Sequence, residues 1–256
     1  MPSHTPNFQV RLAASDDDLH AAQRLRYDVF VAELGGDGEM VDHEARLERD
    51  VYDPDYDHLL LEDTQRDDTD RVVGVYRLLR GDQMSKIGRF YVEDEYDLSV
   101  LKSSGRPIME LGRSCLHADY RGGTAMHALW NGLAAYVLEN GIEVMFGVAS
   151  FHGTDVSKLA QPLSLLHHRH LAPDDLRVRA VPESFQSMNL LPESQINRLA
   201  AMRATPALIK AYLRLGGFVG EGAFIDRPFN TTDVCLVVDT ARMSEKHRDI
   251  YVKARR

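Results

Sequence analysis

Apolar residues recur at helical spacing after Ser15, where Leu19, Ala22, Leu25 and Val29 follow a cap and three aspartates, Asp16, Asp17 and Asp18, suited to a helix N-terminus. This pattern predicts a first helix reaching about Leu34. Residues 35–57 are Gly-rich and acidic without sustained periodicity, and read as a long loop of the kind that often carries function. Two apolar runs, 58–62 and 71–79, flank the polar turn 63–70 and predict a β-hairpin.

Residues 108–116 predict a further strand. Gly122-Gly123-Thr124 leads into a helix over 124–140 stopped by Gly141, and 144–150 reads as a buried strand. The order strand, turn, helix, strand is a βαβ unit, so its two strands are expected parallel and adjacent, with a ligand site at their carboxyl ends. Residues 155–170 read as helical, and 171–205 carry only a short helix near 194–203. Pro206 opens a helix to Leu215, Gly216-Gly217 stops it, and strands follow at 218–225 and 234–238.

With 256 residues, 44% of them hydrophobic, the chain can bury one enlarged α/β core, and a single domain over 1–256 is expected, with its core at about 8–240 and a basic tail at 241–256. No apolar run approaches the roughly 20 residues that span a bilayer. The first residues have neither a basic start nor an apolar stretch typical of an export signal, so a cytoplasmic location is expected. Cys115 and Cys235 sit in apolar runs and make neither a disulfide framework nor a Cys-x-x-Cys metal site. Thirty Lys and Arg against 39 Asp and Glu give a formal charge of -9, which argues against a nucleic-acid partner. The run His167-His168-Arg169-His170 does not predict a metal site either, because neighbouring helical residues point in different directions.

Sharper than the element order is a set of short motifs: Arg26-Tyr27-x-x-Phe30, Asp50 with Tyr52-Asp53, Val73-Gly74-x-Tyr76-Arg77-Leu78, Phe90, and Glu110-Leu111-Gly112-Arg113-Ser114. Their order is similar to that in acyl-homoserine-lactone synthases and in ornithine acyl-carrier-protein N-acyltransferases, both of the GCN5-related N-acyltransferase fold. The fuller resemblance is to the ornithine enzymes, through Tyr120-Arg121, Leu129-Trp130, Ala149-Ser150-Phe151-His152-Gly153-Thr154-Asp155 and the segment 206–217. It covers roughly residues 10–240.

This resemblance implies an α/β fold with a mixed central sheet flanked by helices. It implies transfer of a 3-hydroxyacyl chain from acyl carrier protein to the α-amino group of L-ornithine, giving lyso-ornithine lipid. The partners are then acylated carrier protein and ornithine, with peripheral contact to the inner membrane. No tightly bound cofactor is implied, only the carrier's phosphopantetheine as part of the donor. The alternatives are a homoserine-lactone synthase using S-adenosylmethionine and a catalytically silent carrier-protein-binding regulator.

Amide formation from a thioester needs a base, a polarised carbonyl and a protonated leaving thiol. Glu110 is the candidate base and Arg113 its neighbour. Strict strand alternation puts them on opposite faces, so both enter one site only if a bulge near Gly112 resets the register and frees a backbone N–H for the thioester oxygen. Ser150 and His152 are candidates for returning the proton to the thiol. Arg26, Asp50, Asp53 and Arg77 are expected to form a charged network that binds ornithine or pins the loop, with Phe30 and Phe90 shaping the substrate site. Residues 121–126 lack the Gly spacing of a coenzyme A diphosphate clamp, whereas Arg121 and the amides before Thr124 suit a single phosphate. Arg24, Arg80, Lys86, Arg89, Arg106 and Arg121 are candidates for a patch meeting an acidic carrier. Cys115 is expected to be a buried strand residue and not a nucleophile.

Overall fold

The computed structural model describes residues 5–243; most of the basic tail, from residue 244, and the side chain of Lys86 lie outside the described part. The described helices are α1 (Asp16–Arg26), α2 (Ser99–Lys102), α3 (Ala125–Glu139), α4 (Ala160–His170), α5 (Arg198–Ala204) and α6 (Ala207–Arg214). The strands are β1 (Phe8–Leu12), β2 (Asp57–Asp63), β3 (Val72–Arg80), β4 (Tyr96–Asp97), β5 (Ile108–Leu116), β6 (Val144–His152), β7 (Arg179–Ala180), β8 (Phe185–Gln186), β9 (Phe218–Val219), β10 (Ala223–Asp226) and β11 (Thr231–Asp239). Nine of them form one sheet in the order β1-β2-β3-β5-β6-β11-β10-β8, with β9 added to β11.

Ser15 caps α1 by accepting from the Asp18 amide, and the helix continues as a π-helical turn over Tyr27–Glu33, close to the expected end. The hairpin of β2 and β3 and the parallel pairing of β5 with β6 follow the expected βαβ order. Two expectations shift. The helix expected from 155 starts at Ala160, because the Asp155 carboxylate accepts from Ser157 N and Oγ and holds 155–159 as a turn. The strand expected over 218–225 breaks into β9 and β10 around Gly222, whose φ is +80°. Residues 171–205 form a covering layer of short elements, and Leu176, Val178 and Ala180 from it are buried against the sheet.

Alternation along the strands separates two faces. On one, Met109, Met145 and Leu236 pack beneath α3, α4 and α6 through Leu129, Leu133, Leu166 and Ile209. On the other, Phe146, Cys235 and Val237 meet Phe90, Tyr96 and Val178, while α1 covers Leu60, Val75 and Cys115. No helix among the described residues is long and apolar enough to cross a membrane.

Two local irregularities open the middle of this sheet. β5 and β6 pair only from Ile108–Val144 to Glu110–Phe146, after which β6 continues beside β11 alone as far as His152. The strands still touch at Gly147, where a Cβ would lie 2.1 Å from the Leu111 carbonyl oxygen, so only glycine permits this approach at the mouth of the split. On the other edge of β5, Val75 faces Cys115 and Arg77 faces Gly112, leaving Tyr76 opposite both Arg113 and Ser114. Arg113 takes φ +48°, the geometry of a bulge.

Candidate active site

A cavity of about 440 Å³ fills the split between β5 and β6. Since alternate residues of β6 and β11 face opposite ways, the gap joins two unlike chambers. Beneath α6 the wall is apolar, from Met145, Leu208, Tyr212, Leu236 and Val238. Tyr76 and Tyr212 share a hydroxyl hydrogen bond of 2.9 Å there, and Trp130 Nε1 donates to Tyr76 at 3.3 Å. Across the sheet the wall is carboxylate-rich. Counting the whole lining, Glu48, Glu95, Glu110, Asp226 and Asp233 stand against a single guanidinium, Arg113.

Glu110 is almost wholly buried at the point where the strands part. Its Oε2 accepts from Tyr56 Oη at 2.5 Å and from the Tyr91 amide at 3.0 Å, and its Oε1 accepts from the Val92 amide at 2.8 Å. Burial pushes the carboxyl up from its ordinary range, against the opposing pull of the Tyr56 hydroxyl and the Val92 amide. A carboxylate offers about four lone-pair sites, so these three donors fix its orientation and leave one for the cavity. The same contacts pin the turn that carries Tyr91 and, four residues on, Glu95.

The bulge brings Arg113 to this same region, as the alternation argument required. Its guanidinium lies 4.9 Å from the Tyr91 ring centroid, donates from Nε to Glu48 Oε1 at 3.1 Å and from Nη2 to Asp50 Oδ2 at 3.1 Å. Behind it lies a buried charge network. Arg77 Nη1 reaches Asp50 at 2.5 Å and Asp53 at 3.0 Å; Arg26 reaches Asp53 at 2.6 Å and also pairs with Glu48. Gln23 adds a donor to Asp53 at 2.9 Å. Facing Arg26 and Arg77, Asp53 is held well below the usual carboxylate range despite its burial, and Asp50 is lowered by Arg77 and Arg113. Of the four residues expected to form this network, Arg26, Asp50, Asp53 and Arg77, none is on the cavity wall. They support it from behind, through Arg113 and Glu48.

The other expected residues divide. Phe30, Ser150 and His152 line the cavity, whereas Phe90 is fully buried with its ring edge-to-face on Phe146, 5.0 Å between centroids, behind the wall. Arg121 is exposed and bidentate to Glu33 at 2.6 and 2.7 Å, and Thr124 precedes α3 without a side-chain cap, both outside the cavity lining. The surface arginines Arg80, Arg89 and Arg106 likewise pair with local carboxylates. Cys115 is buried under α1 with its thiol pushed up to about 12 by burial.

Sequence reasoning missed the second group of acids. Asp233 is the cross-strand partner of Ser150 and is buried, as is Glu95. Glu95 Oε2, Asp233 Oδ1 and Thr231 Oγ1 are buried atoms without a hydrogen-bond partner among the described residues, and all three residues line the cavity. Burial first, and then repulsion from Asp233 and Asp226, raise the Glu95 carboxyl above its ordinary range, and burial raises that of Asp233 against the opposing pull of the Ser150 and Thr231 hydroxyls. One signal was available: Asp233 is a carboxylate at the head of the apolar run 234–238 of β11. Glu95, in the polar run 93–95, offered none.

An Acetyltransferase (GNAT) domain model matches residues 25–131. The L-ornithine N(alpha)-acyltransferase of Rhodobacter capsulatus is 60% identical over 249 residues, covering 96% of this chain and 95% of that protein. The protein of the same description from Brucella abortus is 42% identical over 250 residues, covering 96% and 89%. Among solved structures, the CoA-dependent acyl-homoserine lactone synthase BjaI superposes with a TM-score of 0.54 at 17% identity, over 96% of this chain and 89% of that one. FeeM, an N-acyl amino acid synthase from uncultured soil microbes, gives 0.52 at 13% over 93% and 95%. At such identity the two structures speak for the fold alone.

Proposed function

The chain belongs to the L-ornithine N(alpha)-acyltransferase family and is an acyltransferase, and from that premise we propose that it moves a 3-hydroxyacyl chain from acyl carrier protein to the α-amino group of L-ornithine. The observation that carries the reading is the two-chambered cavity at the split of β5 and β6, apolar beneath α6 and carboxylate-rich across the sheet. The acyl chain occupies the first chamber and the amino acid the second. The thioester lies between them, at the bulge.

Past Glu110 the β6-side edge of β5 has no strand partner, so its backbone groups are available to the amides of a phosphopantetheine arm, in the manner of an added strand. The uncapped amides at the start of α3, with Thr124 and Arg121, receive its single phosphate. The α-amine attacks the thioester carbon, forming the C–N bond as the carbonyl electrons move to oxygen, where a backbone N–H at the bulge stabilises them. Collapse expels the thiolate. The proton lost by the amine passes to Glu110 through its remaining lone pair, and the thiolate regains one by way of His152 or Ser150. Arg113 is the guanidinium on the wall and takes the ornithine carboxylate. Transfer is direct, because the nearby thiol of Cys115 is sequestered under α1. The enzyme works in the cytoplasm, with peripheral contact to the inner membrane where its amphipathic product is delivered.

The test is the purified protein with 3-hydroxyacyl-carrier protein or the matching acyl-coenzyme A, and ornithine or S-adenosylmethionine as acceptor, followed by mass analysis. Acyl-ornithine forms, the carrier-protein donor is strongly preferred, and that preference weakens as salt rises because an acidic carrier is steered by charge. Acyl transfer to S-adenosylmethionine, or equal use of both donors, contradicts the reading.

A further inference from the structure

The cavity contains an acidic pair that the transfer chemistry above leaves unused. Glu95 and Asp233 are 4% and 3% exposed, and no arginine or lysine among the described residues forms an ion pair with either, Arg113 acting on Glu95 only at longer range. Contrast Glu110, whose oxygens meet one hydroxyl and two amides. Glu95 Oε2 and Asp233 Oδ1 have no donor within hydrogen-bond distance among the described residues, and the Ser150 and Thr231 hydroxyls beside Asp233 offset its burial only in part. Glu95, Asp233 and Thr231 all line the cavity, as does Asp226. Two buried acids side by side, beside the Thr231 hydroxyl and without a cation, are costly and form a ready cage for a cation that brings three N–H donors.

We propose that Glu95, Asp233 and Thr231 bind the side-chain ammonium of the acceptor amino acid and thereby restrict the enzyme to acceptors with a short basic side chain. The inference rests on the reading that this chamber holds the amine acceptor. The ammonium stays protonated throughout, and no bond to it forms or breaks. Its three N–H groups donate to Glu95 Oε2, Asp233 Oδ1 and Thr231 Oγ1, while the α-amine points toward Glu110 and the bulge. Held this way, the side-chain nitrogen has no free lone pair and cannot compete as nucleophile. A neutral acceptor of the same length leaves the cage unfilled, and sites built around a polar group reject analogues lacking it.

The experiment compares L-ornithine with L-norvaline, which has the same carbon chain without the terminal amine, in the unaltered protein, Glu95→Gln, Asp233→Asn and Thr231→Val. Both kcat/KM for acyl transfer and equilibrium binding of each amino acid without donor are measured, with circular dichroism to confirm folding. In the unaltered protein ornithine is favoured by roughly 10²-fold or more. In Glu95→Gln and Asp233→Asn the ornithine value falls by about 10²-fold, the norvaline value falls far less, and the preference collapses; Thr231→Val shifts it in the same direction by a smaller factor. Equal losses for both acceptors in a folded variant would mean a role in catalysis or architecture instead and would overturn the proposal, as would an intact ornithine preference. If the unaltered protein acylates no ornithine from either donor, the functional reading fails on its own, and the donor-free binding comparison still decides the cage.

Discussion

Two buried charge clusters lie within the same half of this protein, and they are built in opposite ways. Behind Arg113, in the cluster of Arg26, Glu48, Asp50, Asp53 and Arg77, each carboxylate meets an arginine, and Asp53 alone takes two arginines and a glutamine, although Arg26 Nη2 and Arg77 Nε find no acceptor among the described residues. Across the chamber, Glu95 and Asp233 stand together without an ion-pair partner among the described residues, and only the Ser150 and Thr231 hydroxyls offset the burial of Asp233. Carboxylates paired with arginines hold a wall in place, whereas buried carboxylates without a cation mark where a cationic ligand fits. Buried charge alone does not identify a binding site; what matters is whether the buried carboxylates already have cationic partners.

The sharpest way to break this distinction is Asp53→Asn. Removing that charge leaves Arg26 and Arg77 partly uncompensated in the interior, and denaturant unfolding should report a loss of about 3 to 5 kcal/mol. A loss below about 1 kcal/mol would mean that the network does not hold the wall. Next comes Glu110→Gln, expected to lower the turnover rate by roughly 10² to 10⁴, the range of general base catalysis, while circular dichroism stays native. Near-normal turnover would remove Glu110 from the chemistry and leave it as the anchor of the 91–92 turn.

The two clusters also answer pH in opposite senses. Asp50 and Asp53 have folded values below their unfolded ones, so their stabilisation is present above the ordinary carboxylate range and is lost as pH falls. Glu95 and Asp233 have folded values above their unfolded ones, so their contribution is present below that range and is lost as pH rises through the raised values. Asp233→Asn should therefore stabilise the ligand-free protein at pH 8, by about 1 to 3 kcal/mol, and do little at pH 4. Thermal or denaturant unfolding at both values decides this, and destabilisation at pH 8 would place Asp233 among the structural groups. Smallest of all is Cys115→Ala: acyl transfer should remain within a few-fold of normal, since direct transfer needs no acyl-enzyme. A covalent acyl adduct on Cys115 that ornithine discharges would reverse that expectation.

How far the sequence revealed these regions follows from which forces are local. Caps, glycines and apolar spacing located α1, α3, β5 and β6, because those signals act within a few residues. The bulge at Arg113 was legible for a different reason: Glu110 and Arg113 can share a face only if the register shifts, and Gly112 makes that shift inexpensive. β1 was not legible. Its five residues alternate, but they become a strand because β2 offers a free edge 45 residues later in the chain. The separation of Arg26 and Arg77 from the cavity wall was likewise invisible, since it depends on which side of Arg113 the loop 35–57 folds. Glu95 comes into the site only through the Glu110 hydrogen bonds to the 91–92 turn, a contact set by tertiary structure alone.

The most direct test of this division of labour is where the acyl group lands. Ornithine offers two amines, and a chamber that holds the side-chain ammonium among Glu95, Asp233 and Thr231 leaves only the α-amine free to attack. Tandem mass spectrometry of the product formed by the unaltered protein from 3-hydroxyacyl-carrier protein and L-ornithine should locate the amide on the α-nitrogen alone. Acylation of the side-chain nitrogen, or a mixture of the two amides, would contradict the account.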